Sequence, residues 1–96
     1  MRLRFLSPAE SELVAAARFY DKQVSGLGLE FLDKVQHALN VIRKNPELPS
    51  HISDSQRRCR LRRFPYGLVY QIRPDEIVVA SVMHLQRHPD YWKKNL

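Results

Sequence analysis

Cysteine is almost missing from this chain: Cys59 stands alone in 96 residues, so no internal disulfide can form and the fold has to hold by packing. An isolated thiol inside a strand is expected to behave as a small hydrophobe, buried or half-buried, with a nucleophile as the minor reading. Glycine is also scarce, at three residues, and no glycine-rich phosphate loop is present. No apolar run approaches the ~20 residues that cross a bilayer. The opening "MRLRFLSPAE" has too short an apolar stretch for a secretory signal, and Glu10 and Glu12 follow at once, so a cytoplasmic location and no membrane partner are expected. His37, His51, His84 and His88 fall on a helix, a loop and the tail without carboxylate or thiol at ligand spacing, so neither a metal site nor a cofactor is expected. Two local absences matter later: no Lys lies in residues 57 to 92, and no Glu in residues 48 to 75.

Positive charge is abundant and uneven. Residues 1 to 56 carry seven Lys/Arg against seven Asp/Glu, whereas residues 57 to 96 carry nine against three, so the whole net charge of +6 sits in the last part of the chain. An excess gathered in this way favours an acidic or polyanionic partner over a neutral metabolite; a solvated face kept basic for solubility is the plainer reading. With 44% hydrophobic residues and 27% charged, the composition is that of a globular protein, and 96 residues suit one domain spanning 1–96.

The pattern along the chain predicts an α+β fold of order β-α-α-β-β-β, a helix hairpin packed on a mainly antiparallel sheet. "RLRFL" alternates Arg2 and Arg4 with Leu3 and Phe5, the period of a half-buried strand. "SPAE" reads as a helix start, with Ser7 as N-cap, Pro8 at the first helical position and Glu10 completing a capping box. Leu13, Ala16 or Ala17, Tyr20 and Val24 give the first helix its apolar stripe, from about Pro8 to about Val24. After the turn "SGLG", Leu27, Phe31, Val35, Ala38, Leu39 and Ile42 do the same for a second helix that "KNP" stops. "NPELPSHISDSQ" is a surface connection. "RRCRLRRF", "LVYQIR" and "EIVVASVM" then read as three strands separated by "PYG" and "PD".

Two groups carry candidate chemistry. In a strand, Arg58, Arg60 and Arg62 would share one face at about 7 Å intervals with Cys59 and Leu61 on the other. Such a row, with Arg63 beside it, suits carboxylates or phosphates of a partner, or else protects a sheet edge or is neutralised by the chain's own Glu residues. At the exit of the last strand, "MHLQRHPDYW" gathers His84, Arg87 and Tyr91. A proton shuttle, a cation for a pentacoordinate phosphate and an aromatic hydroxyl are the groups needed to cut RNA without metal. The alternative is a C-terminal clasp: Trp92 plugging the core end, His84 bonded to backbone and Arg87 paired with Asp90 or a helix carboxylate.

The helix hairpin "SPAESELVAAARFYDKQVSGLGLEFLDKVQHALNVIRKNPEL", the run "RRFPYGLVYQI" and the ending "IVVASVMHLQRHPDYW" resemble the RelE/ParE superfamily of type II toxin–antitoxin toxins. The resemblance covers essentially the whole chain, and its most specific parts are R-x-F-P-Y-x-L-x-Y and H-x-x-R-x-P-x-Y-W. It implies a growth-inhibiting toxin neutralised by a cognate antitoxin, which contacts operator DNA on its behalf and presents carboxylates to the Arg row. RelE-like members cut mRNA on the ribosome as metal-independent endoribonucleases; ParE-like members poison DNA gyrase. The positions matching the catalytic region are His84, Arg87 and Tyr91, with Arg63 nearby. The missing Lys and Glu depart from the nuclease set, and the long hairpin and terminal motif look more like the ParE-like branch. Whether the chain is an enzyme is left open by the sequence, and a non-toxic nucleic-acid-binding or adaptor module is the rival from another class.

Overall fold

Six elements follow one another in a computed structural model that describes residues 1–86: β1 (Arg2–Phe5), α1 (Ser7–Gln23), α2 (Leu27–Lys44), β2 (Arg57–Arg60), β3 (Tyr66–Ile72) and β4 (Glu76–His84). The order is the β-α-α-β-β-β expected. The sheet runs β1-β4-β3-β2, with β2, β3 and β4 antiparallel and β1 parallel to β4, so it is mixed. Both helices lie on one face. The expected C-terminal turn, and Arg87, Tyr91 and Trp92 with it, lie outside the described residues.

The helices form where the periodicity places them. Phe31, Val35, Ala38, Leu39 and Ile42 of α2 are buried, as are Ala9 and Ala16 of α1, with Leu13, Ala17 and Tyr20 packed against the same core. Val24, predicted in the stripe, is instead the C-cap and is 59% exposed, because the chain has already left the helix there. Ser7 is not the N-cap either. Leu6 holds that position, no side-chain cap bond forms, and Pro8 sits in the first turn. Gly26 turns the chain with φ of 89°, a left-handed conformation that costs glycine little, and Asp21 Oδ1 accepts the N–H groups of Gly26 (3.0 Å) and Gly28 (3.2 Å). A Cβ on Gly28 would stand 2.6 Å from the Ala17 carbonyl oxygen, so its absence lets α1 and α2 approach this closely.

At the centre of the helix-facing core, Phe31 makes edge contacts with Phe64 (5.3 Å) and Tyr66 (5.2 Å) and a tilted one with Tyr20 (5.4 Å). This aromatic group ties α1, α2, the β2–β3 connection and β3 together. Leu3 and Phe5 of β1 face the same core, leaving Arg2 and Arg4 outward as the alternation predicts. Cys59 is buried against the Ala38 carbonyl (Sγ to O 3.9 Å), and burial pushes its thiol pKa up, which matches an inert core position. Tyr70 is fully buried; its hydroxyl donates to the Pro46 carbonyl at 2.5 Å, and its pKa is pushed up to about 12, chiefly by burial. The surface connection is thereby anchored. Arg57 strengthens the hold, donating to the carbonyls of Glu47 (2.6 Å) and Pro49 (2.7 Å).

Two details of register differ from expectation. β2 ends at Arg60, and the turn lies at Leu61–Pro65 rather than in "PYG", since Leu61 N already bonds Tyr66 O (2.9 Å) and Tyr66 and Gly67 are in the strand. In β4, Val69 pairs with Ser81 but Tyr70 with Val79, so Ala80 is an extra residue, a β-bulge. Strict alternation would group Val79 with Ser81 and Met83. The bulge instead brings Val79 and Val82 into the helix-facing core and leaves Met83 with Val69 on the outer face.

On the outer face, Glu76 accepts from Arg4 Nε (2.9 Å) and Arg2 Nη2 (3.3 Å), with Arg73 Nη1 3.7 Å away, and so fastens β1 to β4. The hydrogen bond from Arg4, more than any other cause, holds the Glu76 carboxyl below the usual carboxylate range. A folded pKa lowered in this way adds stability above the unfolded carboxylate value and loses it as pH falls through the folded one. Glu76→Gln should therefore melt below the unaltered chain at pH 7, and the two melting curves should converge as the pH is lowered through the carboxylate range. A gap that stays constant with pH would mean that the charge on Glu76 contributes nothing.

Candidate partner-binding surface

β4 carries His84 to the sheet end, where it pairs with Tyr66 at the start of β3. The imidazole stands edge-on to the Tyr66 ring (centroids 5.0 Å apart, 73°), and its Nδ1 accepts the backbone N–H of Gln86 at 3.1 Å. That bond requires Nδ1 to be unprotonated, which leaves Nε2 as the protonated nitrogen of the neutral ring. His84 is thus bonded to backbone, as the clasp reading expected, and lies on the side of the sheet away from Met83. It opens with Glu12, Ala15, Ala16, Phe19, Tyr20, Tyr66, Val82 and Gln86 onto a cavity of about 530 Å³ between α1 and β4. Burial, with Tyr66 nearby, raises the pKa of Tyr20.

The floor of this cavity contains a residue that sequence reasoning missed. Glu12 Oε1 accepts the Ser81 hydroxyl (3.1 Å) and the Val82 N–H (3.0 Å), reaching from α1 to the strand just beyond the Ala80 bulge. A signal existed: Glu12 falls three residues after Ala9 and four before Ala16, both buried, and so interrupts an apolar stripe with a charge. Tyr66, the ring against which His84 rests, falls in the "PYG" that reads as a turn in the sequence, where nothing marks it as a neighbour of His84.

The arginine series divides into distinct environments. Arg58 and Arg60 share the outer face, opposite Val69 and Gly67 of β3, and Cys59 points to the core, as expected. Arg62 is not the third member of that row: it lies past the strand end, exposed in the β2–β3 turn. Arg63 adopts φ of 74°, left-handed and costly for a non-glycine residue, and is held there by an ion pair with Glu30 of α2 and by its guanidinium 5.4 Å from the Phe64 ring centroid. Arg57 is bound to loop carbonyls. Among the described residues, only Arg58, Arg60 and Arg62 of this series have side chains without a hydrogen bond or ion pair. No group of three His, Cys, Asp or Glu there is placed to hold a metal ion.

The described residues form a helix hairpin on one face of a four-stranded mixed sheet, with Arg58 and Arg60 on the edge strand β2 and the His84 imidazole at the exit of β4. Residues 3–89 match the family described as "ParE toxin of type II toxin-antitoxin system, parDE", and the chain belongs to that family. Among solved structures it is similar to a chain from "Chromosomal ParDE TA system from P. aeruginosa", at 16% identity over 90% of this chain and 97% of that one, with a TM-score of 0.68. At that identity the likeness speaks for the fold. No curated protein matches the sequence closely enough to add a relative.

Proposed function

We propose that this chain is a growth-inhibiting toxin that acts on DNA gyrase in the cytoplasm and is neutralised by a cognate antitoxin. The observation that carries this reading is the family match, which extends through the helix hairpin, the sheet and the exit of β4. The uneven charge supports a proteinaceous inhibitor: Arg58, Arg60 and Arg62 offer cations at a sheet edge, while Arg63 is used to hold its own turn. His84, with Arg87 and Tyr91, forms the toxic end. Operator DNA is reached only through the antitoxin. His84 gives its Nδ1 to a backbone N–H, and the sequence from 57 to 92 supplies no Lys to join it, which favours a surface that binds its target over a proton-transfer site.

Induction of the chain alone should arrest growth with broken DNA and a damage response, and co-expression of the neighbouring reading frame should restore growth. Message ends and DNA breaks are to be mapped in the same culture. Abundant cleavage in the ribosomal A site without DNA breaks would move the chain to the RelE-like activity. Normal growth with folded protein present would overturn the toxin reading altogether.

A further inference from the structure

Arg58 and Arg60 lie on the same face, yet only one of them is seated. Gly67 lies diagonally opposite Arg58 on the neighbouring strand, and a Cβ built there would stand 2.9 Å from Arg58 Cγ, 3.1 Å from Cδ and 3.3 Å from Leu85 Cδ2. Real Cβ atoms essentially never come so close, so a side chain at 67 would push the Arg58 stem aside. The Arg58 stem therefore lies flat on the sheet, in a channel whose floor is the Gly67 backbone and whose far wall is Leu85, the residue after His84. Its guanidinium has no carboxylate partner among the described residues. Much of the rotamer freedom that an arginine loses on binding is already given up here.

We propose that Arg58, seated over Gly67, is a preset fork for one carboxylate of an extended acidic segment of the antitoxin, an assignment that rests on the antitoxin reading above. The surroundings favour a peptide over a nucleic-acid backbone. Val69, Met83, Ile52 and Leu85 form an apolar cluster on this face, beside the fork. A phosphate backbone calls for a continuous track of cations, but Arg57 is spent on loop carbonyls, Arg63 on Glu30, and Arg2, Arg4 and Arg73 on Glu76. One planar fork beside aliphatic surface matches a carboxylate flanked by aliphatic side chains.

The experiment measures binding of the antitoxin encoded by the neighbouring reading frame to the unaltered chain and to Arg58→Ala, Arg58→Lys, Gly67→Ala, the Arg58→Ala/Gly67→Ala double variant and Arg43→Ala, with thermal unfolding confirming each fold. Arg58→Ala and Arg58→Lys should both weaken binding by tenfold or more, since lysine keeps the charge but not the fork. Gly67→Ala keeps the arginine and displaces it, and should cost about tenfold; the double variant should be no weaker than Arg58→Ala alone. Arg43→Ala, which removes an exposed charge from the last turn of α2 on the opposite side of the sheet, should stay within about threefold. Full affinity in Arg58→Lys, or in a folded Gly67→Ala, overturns the proposal. So does a loss confined to binding of a DNA duplex or an RNA hairpin run in parallel. Absence of antitoxin binding by the unaltered chain would overturn the antitoxin reading itself, whereas binding indifferent to all the variants overturns the fork alone.

Discussion

Replacing Phe31 with alanine is expected to lower the thermal unfolding midpoint by roughly 15 °C or more, enough to leave much of the chain unfolded at growth temperature. Phe31 has no exposed surface and touches the rings of Tyr20, Phe64 and Tyr66, which come from three other parts of the chain. Truncation removes the buried ring and leaves a cavity that four separate elements would have to close, a combination that costs about 3–5 kcal/mol. Against a total stability of ~5–15 kcal/mol for a domain of this kind, that is a large share. Phe19 provides the control. It is 55% exposed, and Phe19→Ala should shift the midpoint by only a few degrees. Equal effects from the two substitutions, measured by calorimetry, would show that the aromatic group is not the centre of the core.

Glu12→Ala should be nearly as damaging, at about 2–5 kcal/mol, although it deletes a surface-helix carboxylate of a kind usually dispensable. Ser81 and Val82 are buried, and both rely on Glu12 Oε1 as an acceptor. A buried donor left unpaired costs ~1–3 kcal/mol, and here there are two. Glu12→Gln keeps an oxygen at the same reach and should recover more than half of the loss. Urea unfolding of the three proteins decides the matter: if alanine and glutamine behave alike, the carboxylate is not holding the strand. Because the grip lies two and three residues before His84, Glu12→Ala should also lower antitoxin binding and toxicity together.

The helices and the order of elements were legible because each depends on local periodicity. Phe31, Val35, Ala38, Leu39 and Ile42 recur at helical spacing, and Asn45-Pro46 stops the helix whatever surrounds it. β4 was legible as a run apolar on both faces. What the sequence hid depends on contacts between distant parts. Strict alternation places Ser81 and Met83 with Val79, and only the pairing of β3 with β4 inserts the Ala80 bulge that regroups them. The arginine row failed at Arg62 for a related reason: five arginines in seven residues look uniform as text, but Arg63 in a left-handed conformation, stabilised from α2, ends the strand before Arg62 can join it. Ser7 looked like a cap, yet β1 continues directly into α1, with Leu6 N bonded to the Val79 carbonyl (2.9 Å), so the cap position falls one residue earlier than the sequence signal places it. At the exit of β4 the sequence draws attention to His84, but the residues that share its cavity, Tyr66 and Glu12, stand 18 and 72 residues away in the chain, beyond any local pattern.

The neighbours of β4 in the sheet have a consequence for biosynthesis. β4 is the strand on which both β1 and β3 pair, and among the described residues it is the last strand made, with Arg2 joined to Glu76 across a separation of 74 residues. While the ribosome is still adding residues up to 75, the N-terminal strand has no mate and Glu12 has nothing to grip, so the sheet cannot close on the hairpin. A translation product cut short before β4 would lack the closed sheet and His84 together.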